Sequence, residues 1–231
     1  MRVPSGRCCA LIFTAALAAC DTQPTTTGYA GGNYAIVRLV NVSTASLDLV
    51  SASSVATGNG GLAFGASSSC TTVDVTAPNL SVRTTGTTTA LSGFSPIFAS
   101  GNKYIVVAHT DANGLTQFTV GNTNAFTSGS VQSGLKVVDA VPGTGSFDVY
   151  VTSPGAVLGT ASATALSFAG STNFFNVDAG ATQVRLTNAG TQTVVYTTAT
   201  PALAAGKNYV LIIGPPAVGT SEFRSFLVTS C

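Results

Sequence analysis

The chain has 231 residues and is almost uncharged, with nine Lys and Arg, eight Asp and Glu, and one His for a net charge of +1. This balance provides no basic patch for a phosphate backbone, so it argues against nucleic acid as a partner. Hydrophobic residues make up 45% of the chain and charged residues 7%. Such a composition can build a core and is not that of a charged, disordered tail.

The first nineteen residues are typical of a secretory signal peptide. Arg2 and Arg7 precede an apolar run from Ala10 to Ala19. A membrane-spanning helix needs roughly 20 apolar residues, about twice the length of this run. A charged start, a short apolar centre and a small-residue end predict secretion instead.

The residues that close this segment, Leu17-Ala18-Ala19-Cys20, resemble the bacterial lipobox. The resemblance implies that signal peptidase recognises Leu17, Ala18 and Ala19, that cleavage falls before Cys20, and that Cys20 carries acyl chains such as palmitate. Two or more chains anchor a protein stably, so membrane lipid is the expected partner of Cys20. Asp21 resembles a signal that retains lipoproteins at the inner membrane, on its periplasmic face; the outer membrane is the alternative. An ordinary secretion signal with an incidental cysteine is the other interpretation.

Cysteine usage predicts one disulfide in the processed chain. Removing residues 1–19 leaves 212 residues with seven Lys and Arg against eight acids. Cys8 and Cys9 leave with the signal and Cys20 takes lipid, so Cys70 and Cys231 remain. An even pair in an oxidising compartment is expected to be joined. Two free thiols are the alternative.

Two halves of the chain repeat the same pattern. The segment "IVRLVNVSTASLDLV" (36–50) aligns with "LKVVDAVPGTGSFDVYV" (135–151), and "FASGNKYIVVA" (98–108) aligns with "LAAGKNYVLII" (203–213). The offset drifts from 98 to 105 residues while the order is kept. A unit of about 100 residues has the size of a whole small domain rather than of a solenoid repeat.

Each copy contains short β-rich runs separated by turn residues. Phe147, Val149 and Val151 alternate with polar residues, which is strand periodicity, and Asn113-Gly114 is a strong hairpin signal. Seven or eight strands per copy predict an all-β protein with two tandem Ig-like β-sandwich domains. The expected order is a signal peptide at 1–19, a lipidated tether at 20–33, a first β-sandwich repeat at 34–120, a linker at 121–134 and a second repeat at 135–231.

The second copy resembles the bacterial DUF4397 family. The resemblance is carried by "FDVYV" (147–151) and "AGKNYVLIIG" (205–214). In the first copy "LDLV" lacks the tyrosine, and Cys70 stands in a serine run. Members of this family are envelope proteins of unknown function, often lipoproteins, commonly with the domain in tandem. The family has no established catalytic residues, so the resemblance implies none here.

The residues for catalysis or metal binding are sparse. His109 lies at the end of an apolar strand, and a triad would need a nucleophile beside it. The segment "GFSPI" around Ser95 lacks the second glycine of a nucleophile elbow. We therefore expect His109 to face solvent in a hairpin rather than to serve a hydrolase. One histidine and two cysteines do not form a zinc cluster, and the scattered acids do not form a calcium site. No catalytic residue, metal or cofactor is predicted.

Two pairs of carboxylates occupy equivalent places in the copies, Asp48 with Asp148 and Asp74 with Asp178. Equivalence within a duplication favours a shared structural role, such as accepting backbone N–H bonds in a turn. A ligand site repeated in each copy is the alternative. Phe174-Phe175 breaks strand alternation, which indicates a contact surface or a contact between the domains.

These features predict a lipid-anchored protein of the bacterial cell envelope without enzyme activity. Its expected role is structural or adhesive, presenting a rigid β surface to an envelope protein or a glycan. The alternative is a periplasmic accessory factor in envelope assembly or polymer export. Because fold does not imply function, neither role follows from the β architecture alone.

Overall fold

Every regular element in the described residues (33–124, 131–199 and 201–231 of this computed structural model) is a β-strand. The all-β prediction is confirmed. The predicted signal peptide, Cys20 and nearly all of the tether lie outside the described residues. Within the described ranges, no helix has the length and hydropathy needed to span a membrane.

Strands β1 to β7 form repeat 1, and strands β8 to β17 form repeat 2. Repeat 1 comprises β1 (Tyr34–Val42), β2 (Leu47–Ser51), β3 (Ser54–Val55), β4 (Thr71–Asp74), β5 (Leu80–Thr84), β6 (Lys103–Thr110) and β7 (Thr116–Asn122). Repeat 2 comprises β8 (Gln132–Asp139), β9 (Phe147–Thr152), β10 (Ala163–Leu166), β11 (Phe175–Asp178), β12 (Gly180–Ala181), β13 (Gln183–Asn188), β14 (Val194–Thr197), β15 (Ala202–Leu203), β16 (Asn208–Gly214) and β17 (Arg224–Thr229).

The two repeats share one pattern of strand pairing. An inner sheet has the order β4-β1-β6-β7 in repeat 1 and β11-β8-β16-β17 in repeat 2. An outer sheet has the order β3-β2-β5 in repeat 1 and β10-β9-β13-β14 in repeat 2. The central pair of each inner sheet is parallel, with Val37 opposite Tyr104 and Leu135 opposite Tyr209. The duplication seen in the sequence therefore extends to the hydrogen-bond register.

Each repeat has a core between its inner and outer sheets. In repeat 1, Leu39 and Val106 of the inner sheet meet Leu49 of the outer sheet in one buried cluster. In repeat 2, Val137 and Leu211 meet Val149 and Leu186 in a second cluster. Alternate residues of each strand supply these clusters, because side chains point to opposite faces with a period of two. Each repeat thus has a sandwich-like arrangement.

A third buried cluster lies between the two inner sheets. It contains Val40 and Ile105 of repeat 1 together with Val138, Ile212 and Val228 of repeat 2. The inner sheets are consequently covered on both faces, which is why β6 and β16 are almost continuously apolar.

Strand residues occupy both ends of the range expected for the linker, 121–134. Strand β7 reaches Asn122, which pairs with Tyr104, and β8 begins at Gln132, which pairs with Asp178. Only the middle of this range can therefore act as a linker. The third cluster packs the two repeats directly against each other.

Candidate functional site

A covalent cross-link joins the two repeats. Cys70, just before β4, and Cys231, after β17, form a disulfide with their Cα atoms 6.0 Å apart. The pair predicted from the sequence therefore lies at disulfide distance. Arg38 reaches across at the same place: its Nη1 donates to the carbonyl oxygen of Thr229 at 2.7 Å and its Nη2 lies 3.1 Å from Cys70 Sγ. The C-terminal strand is thus held to repeat 1 by a covalent bond and a charged hydrogen bond.

The position equivalent to Arg38 in repeat 2 is Lys136, which makes a different contact. Its Nζ lies 5.2 Å from the centre of the Phe174 ring, a cation–π distance. The neighbouring Phe175 packs against the core of repeat 2. The two adjacent phenylalanines therefore serve two different contacts, which explains why they break strand alternation.

Asp48 and Asp148 bind loops of their own repeats. Asp48 Oδ1 accepts from the Gly61 N–H and from the Thr85 hydroxyl, each at 2.8 Å. The Gly61 hydrogen bond is the main cause that lowers the pKa of Asp48. Asp148 accepts from the N–H groups of Ala165 at 2.9 Å and Gly190 at 2.8 Å. Both carboxylates therefore hold loops of their own repeat through backbone N–H groups.

The second carboxylate pair behaves differently in the two repeats. Asp74 accepts from the N–H of Thr76 at 2.8 Å and from its hydroxyl at 2.7 Å, a local turn that lowers the pKa of Asp74. Asp178 instead accepts from Gln132 Nε2 at 3.2 Å and lines a surface cleft. Asp74 therefore has a structural contact, whereas Asp178 stands at an open site.

His109 does not face solvent, contrary to the expectation from the sequence. It is 2% exposed because the inner face of β6 is covered by repeat 2. Its ring packs on Phe168 with centroids 4.9 Å apart, and Nε2 lies 3.0 Å from Thr119 Oγ1. Since the Thr119 hydroxyl donates to the Ala169 carbonyl, Nε2 is the donor to Thr119. Burial lowers the pKa of His109 to about 4, so the imidazole is neutral at pH 7.

Asn41 and Asp139 occupy equivalent buried positions with different chemistry. Asn41 Nδ2 donates to the carbonyls of Ala45 and Leu62, each at 2.7 Å. Asp139 Oδ1 accepts from the Val141 N–H at 2.9 Å, while its buried Oδ2 has no hydrogen-bond partner. Burial raises the pKa of Asp139 to about 6. Near-identical backbones therefore hold an amide in one repeat and a perturbed carboxyl in the other.

A cleft of about 490 Å³ opens at one end of repeat 2. Its walls come from the end of β9, from β11 and from β12. Asp178 and Phe175 stand out in the sequence, but nothing in the sequence places them at one cleft, because the cleft forms only where β9 packs beside β11 and β12. The lining residues are Val151, Thr152, Ser153, Ser162, Phe175, Asn176, Val177, Asp178, Ala179, Ala181 and Thr182.

The described residues contain no group of three His, Cys, Asp or Glu side chains placed to hold a metal ion. The charged groups that the structure describes act mainly within the fold. Arg83 lies 3.8 Å from Asp48, and Arg185 Nη2 donates to Thr152 Oγ1 at 2.9 Å. The cleft is an open polar site among the described residues.

These observations define an all-β protein in which two sandwich-like repeats pack through their inner sheets and share a disulfide. Residues 133–229, which span β8 to β17, match the family described as Domain of unknown function (DUF4397). The protein is therefore a DUF4397 domain-containing protein, as the residues "FDVYV" and "AGKNYVLIIG" predicted. Among curated proteins, no match to the chain was found.

Proposed function

We propose that the protein is a lipid-anchored lipoprotein of the bacterial cell envelope whose β-repeats form a rigid, non-enzymatic binding or structural module. The observation that carries the proposal is the double attachment between the repeats, a buried apolar cluster plus the Cys70–Cys231 disulfide. A disulfide of this kind suits an oxidising compartment outside the cytoplasm. It agrees with the lipobox-like residues Leu17 to Cys20.

The absence of enzyme activity is part of the proposal. His109 is a poor candidate for a triad, because its side chain is 2% exposed and its ring packs on Phe168, which leaves a substrate no access to it. Asp48 and Asp148 are engaged by loop N–H groups. We further assign an Ig-like sandwich to each repeat, at 34–120 and 135–231, following the equal strand pairing in the two halves.

The anchor is tested by metabolic labelling. The full-length chain and its Cys20→Ala variant are expressed in a bacterial host fed an alkyne analogue of palmitate. We expect label and membrane partition in the parent and neither in Cys20→Ala, because the lipid attaches to the Cys20 thiol. Cys70→Ser/Cys231→Ser is the matched control and should keep its label. An unlabelled parent with a different mature N-terminus would refute the anchor.

The role is tested by protease shaving of intact source cells. Loss of the chain with periplasmic controls intact supports a surface-exposed binding or adhesive module. Survival until the outer barrier is opened supports the second candidate, a periplasmic accessory factor in envelope assembly or polymer export. Asp21 favours that candidate, because it follows Cys20 at the position of the inner-membrane retention signal.

A further inference from the structure

The two cysteines of the disulfide between the repeats differ in exposure and in their polar neighbours. Cys70 is exposed, whereas Cys231 is half-buried. The guanidinium of Arg38 lies on the Cys70 side of the bond, with Nη2 3.1 Å from Cys70 Sγ. Access and a neighbouring positive charge are the two factors that make a cysteine reactive in thiol–disulfide exchange. In this pair both factors act on Cys70.

The contact between Arg38 and Cys70 is set by the strand pairing of repeat 1. In the antiparallel register of β1 with β4, Val37 lies opposite Thr71. Continuing this register by one residue places Arg38 opposite Cys70, and side chains that lie directly opposite share a face of the sheet. Because Arg38 and Cys70 both belong to repeat 1, this pairing does not depend on the bond to Cys231. The guanidinium should therefore stay beside the Cys70 sulfur when the disulfide is reduced.

Arg38 has no carboxylate to balance its charge within the described residues. Its Nη1 donates to the carbonyl oxygen of Thr229, and its buried Nε has no hydrogen-bond partner. Strands β1 and β17 contain no acidic residue, and the carboxylate of Asp74 in β4 is engaged by Thr76. Burial lowers the pKa of Arg38, yet a guanidinium keeps its proton in proteins. Such a cation favours a negatively charged neighbour.

The equivalent place in repeat 2 has the cation but no sulfur. Lys136 takes the position of Arg38, and Phe174 stands just before the edge strand β11 as Cys70 stands just before β4. Lys136 Nζ lies 5.2 Å from the centre of the Phe174 ring. Both repeats thus pair a cation with the residue that precedes the edge strand of the inner sheet. Repeat 2 therefore supplies a matched position at which the same charge has no thiol to act on.

The neighbouring cation decides which form the reduced Cys70 takes. The thiolate, not the thiol, attacks a disulfide, and an adjacent arginine favours the thiolate. In the disulfide form Cys70 Sγ is neutral and compensates the guanidinium poorly. In the reduced form a thiolate at the same place would supply the missing negative charge.

We propose that Cys70 is the reactive thiol of the pair, held as a thiolate by Arg38, and that Cys231 is its resolving cysteine. The substrate class is a disulfide donor, RSSR. In the first step the Cys70 thiolate attacks one sulfur of RSSR, the S–S bond of RSSR breaks, a bond between Cys70 and SR forms, and RS⁻ leaves.

The second step closes the disulfide of the protein. Cys231 loses its proton to solvent, its thiolate attacks the Cys70 sulfur, and a second RS⁻ leaves. The two cysteines are oxidised by two electrons while RSSR is reduced to two thiols. In the reverse direction a reducing thiol attacks Cys70 and releases Cys231. The inference goes beyond the proposed function, because it makes the covalent link between the repeats a bond that thiol chemistry forms and opens at Cys70.

Alkylation kinetics on the full-length chain in detergent micelles test the reactivity of each thiol. The variants Cys231→Ser and Cys70→Ser each leave one thiol of the pair. Cys231→Ser is then combined with Arg38→Met, which removes the cation, with Arg38→Lys, which keeps a positive charge, and with the matched control Lys136→Met. Mass spectrometry of iodoacetamide-treated peptides reads each cysteine separately from Cys20. A chain without the lipid anchor therefore still gives a clear result.

We expect Cys70 to react about tenfold or more faster than Cys231 at pH 7. The pH midpoint of Cys70 alkylation should lie about one pH unit or more below that of Cys231. It should rise in Arg38→Met, return in part in Arg38→Lys and stay unchanged in Lys136→Met. Equal midpoints for the two thiols, or a Cys70 midpoint that Arg38→Met and Arg38→Lys leave unmoved, would overturn the proposal. The comparison of the two thiols needs no substitution at Arg38, so it stands even if Arg38→Met fails to fold.

The exchange step is followed with two disulfide donors, oxidised glutathione and an oxidised oxidoreductase with a Cys-x-x-Cys motif. The reduced parent protein is mixed with each donor and quenched with acid at early times. We expect the mixed disulfide on Cys70 before the Cys70–Cys231 bond forms. Faster reaction with glutathione would support a small-molecule donor, and faster reaction with the oxidoreductase a protein donor. A mixed disulfide that forms first on Cys231 would overturn the assignment of the two roles.

Discussion

Repeat 1 and repeat 2 share their strand pairing but differ in the contacts that their side chains make. The parallel pairs β1·β6 and β8·β16 keep the same register, because the hydrogen bonds of a sheet depend little on side-chain identity. The differences lie at the cleft, at the buried Asn41 and Asp139, and at the end of the inner strand. A duplicated β domain therefore keeps its backbone and diverges in its side-chain contacts.

The interface between the repeats contains two equivalent places, and different side chains pack at each. On one side His109 packs on Phe168. On the other, the position equivalent to His109 is Gly214, and Phe64 packs edge-on against Phe226 with centroids 5.3 Å apart. A Cβ added at Gly214 would lie 3.1 Å from Phe226 Cε2. The glycine thus makes room for the second aromatic pair.

The disulfide is the strongest tie between the repeats and gives the largest expected effect. Because it closes a sequence separation of 161 residues, Cys70→Ser/Cys231→Ser should lower the free energy of unfolding by about 2 to 5 kcal/mol. Urea denaturation followed by fluorescence or circular dichroism measures the loss. Reducing the parent protein should reproduce the shift, and dithiothreitol should leave the double variant unchanged. Equal midpoints for parent and variant would contradict this prediction.

The cluster between the inner sheets should couple the unfolding of the repeats. Ile212→Ala, in that cluster, should cost about 2 to 4 kcal/mol. Under reducing conditions it should also split the single transition into two, because the repeats lose shared apolar contact. Ile213→Ala is the matched control: the neighbouring residue faces the core of repeat 2, so its variant should lower stability without separating the repeats. Splitting in both variants would refute the distinction.

The substitutions Asn41→Asp and Asp139→Asn should change the free energy of unfolding in opposite directions. Asn41→Asp removes two donated hydrogen bonds and buries a carboxylate, so it should destabilise by about 2 to 3 kcal/mol at pH 7. Asp139→Asn should stabilise at pH 7 by about 1 to 2 kcal/mol. The raised pKa of Asp139, about 6, means that its favourable contribution is present below its unfolded pKa near 4 and is lost as pH rises through 6.

The gain from Asp139→Asn should therefore vanish near pH 4, where both states of the parent carry the proton. Urea midpoints at about pH 4 and pH 7.5 separate this from a packing effect. A gain of the same size at both pH values would show that the charge of Asp139 is not its cause.

His109 should impose a pH slope of opposite sign and similar size. Burial lowers its pKa to about 4, so its favourable contribution is present above its unfolded pKa near 6.5 and is lost as pH falls through 4. In the parent, the His109 and Asp139 slopes offset each other between these values. In His109→Gln the slope from Asp139 should remain without this offset, so the free energy of unfolding should fall by about 1 to 2 kcal/mol from pH 5 to pH 6.5. A flat profile in this variant would contradict the assignment.

The sequence supported much of the fold and part of the site. Repeated segments such as "GNKYIVVA" and "GKNYVLII" predicted two equal β units, since buried strands read as apolar runs bounded by turns. Cysteine counting predicted the partner of Cys70. The sequence did not predict the burial of His109, because an apolar strand has the same residue pattern whether its second face meets solvent or another sheet. The sequence also did not predict the cleft of repeat 2, because it forms only where β9 packs beside β11 and β12.

What the sequence alone determined was local or countable: the all-β class, the duplication, the DUF4397 resemblance and the single remaining cysteine pair. The tertiary structure decided which faces of these strands are covered, and with them the neutral state of His109, the raised pKa of Asp139 and the cleft of repeat 2. The physical reason is that burial is set by elements about 100 residues apart. Strand periodicity records which residues share a face, while packing decides what that face meets.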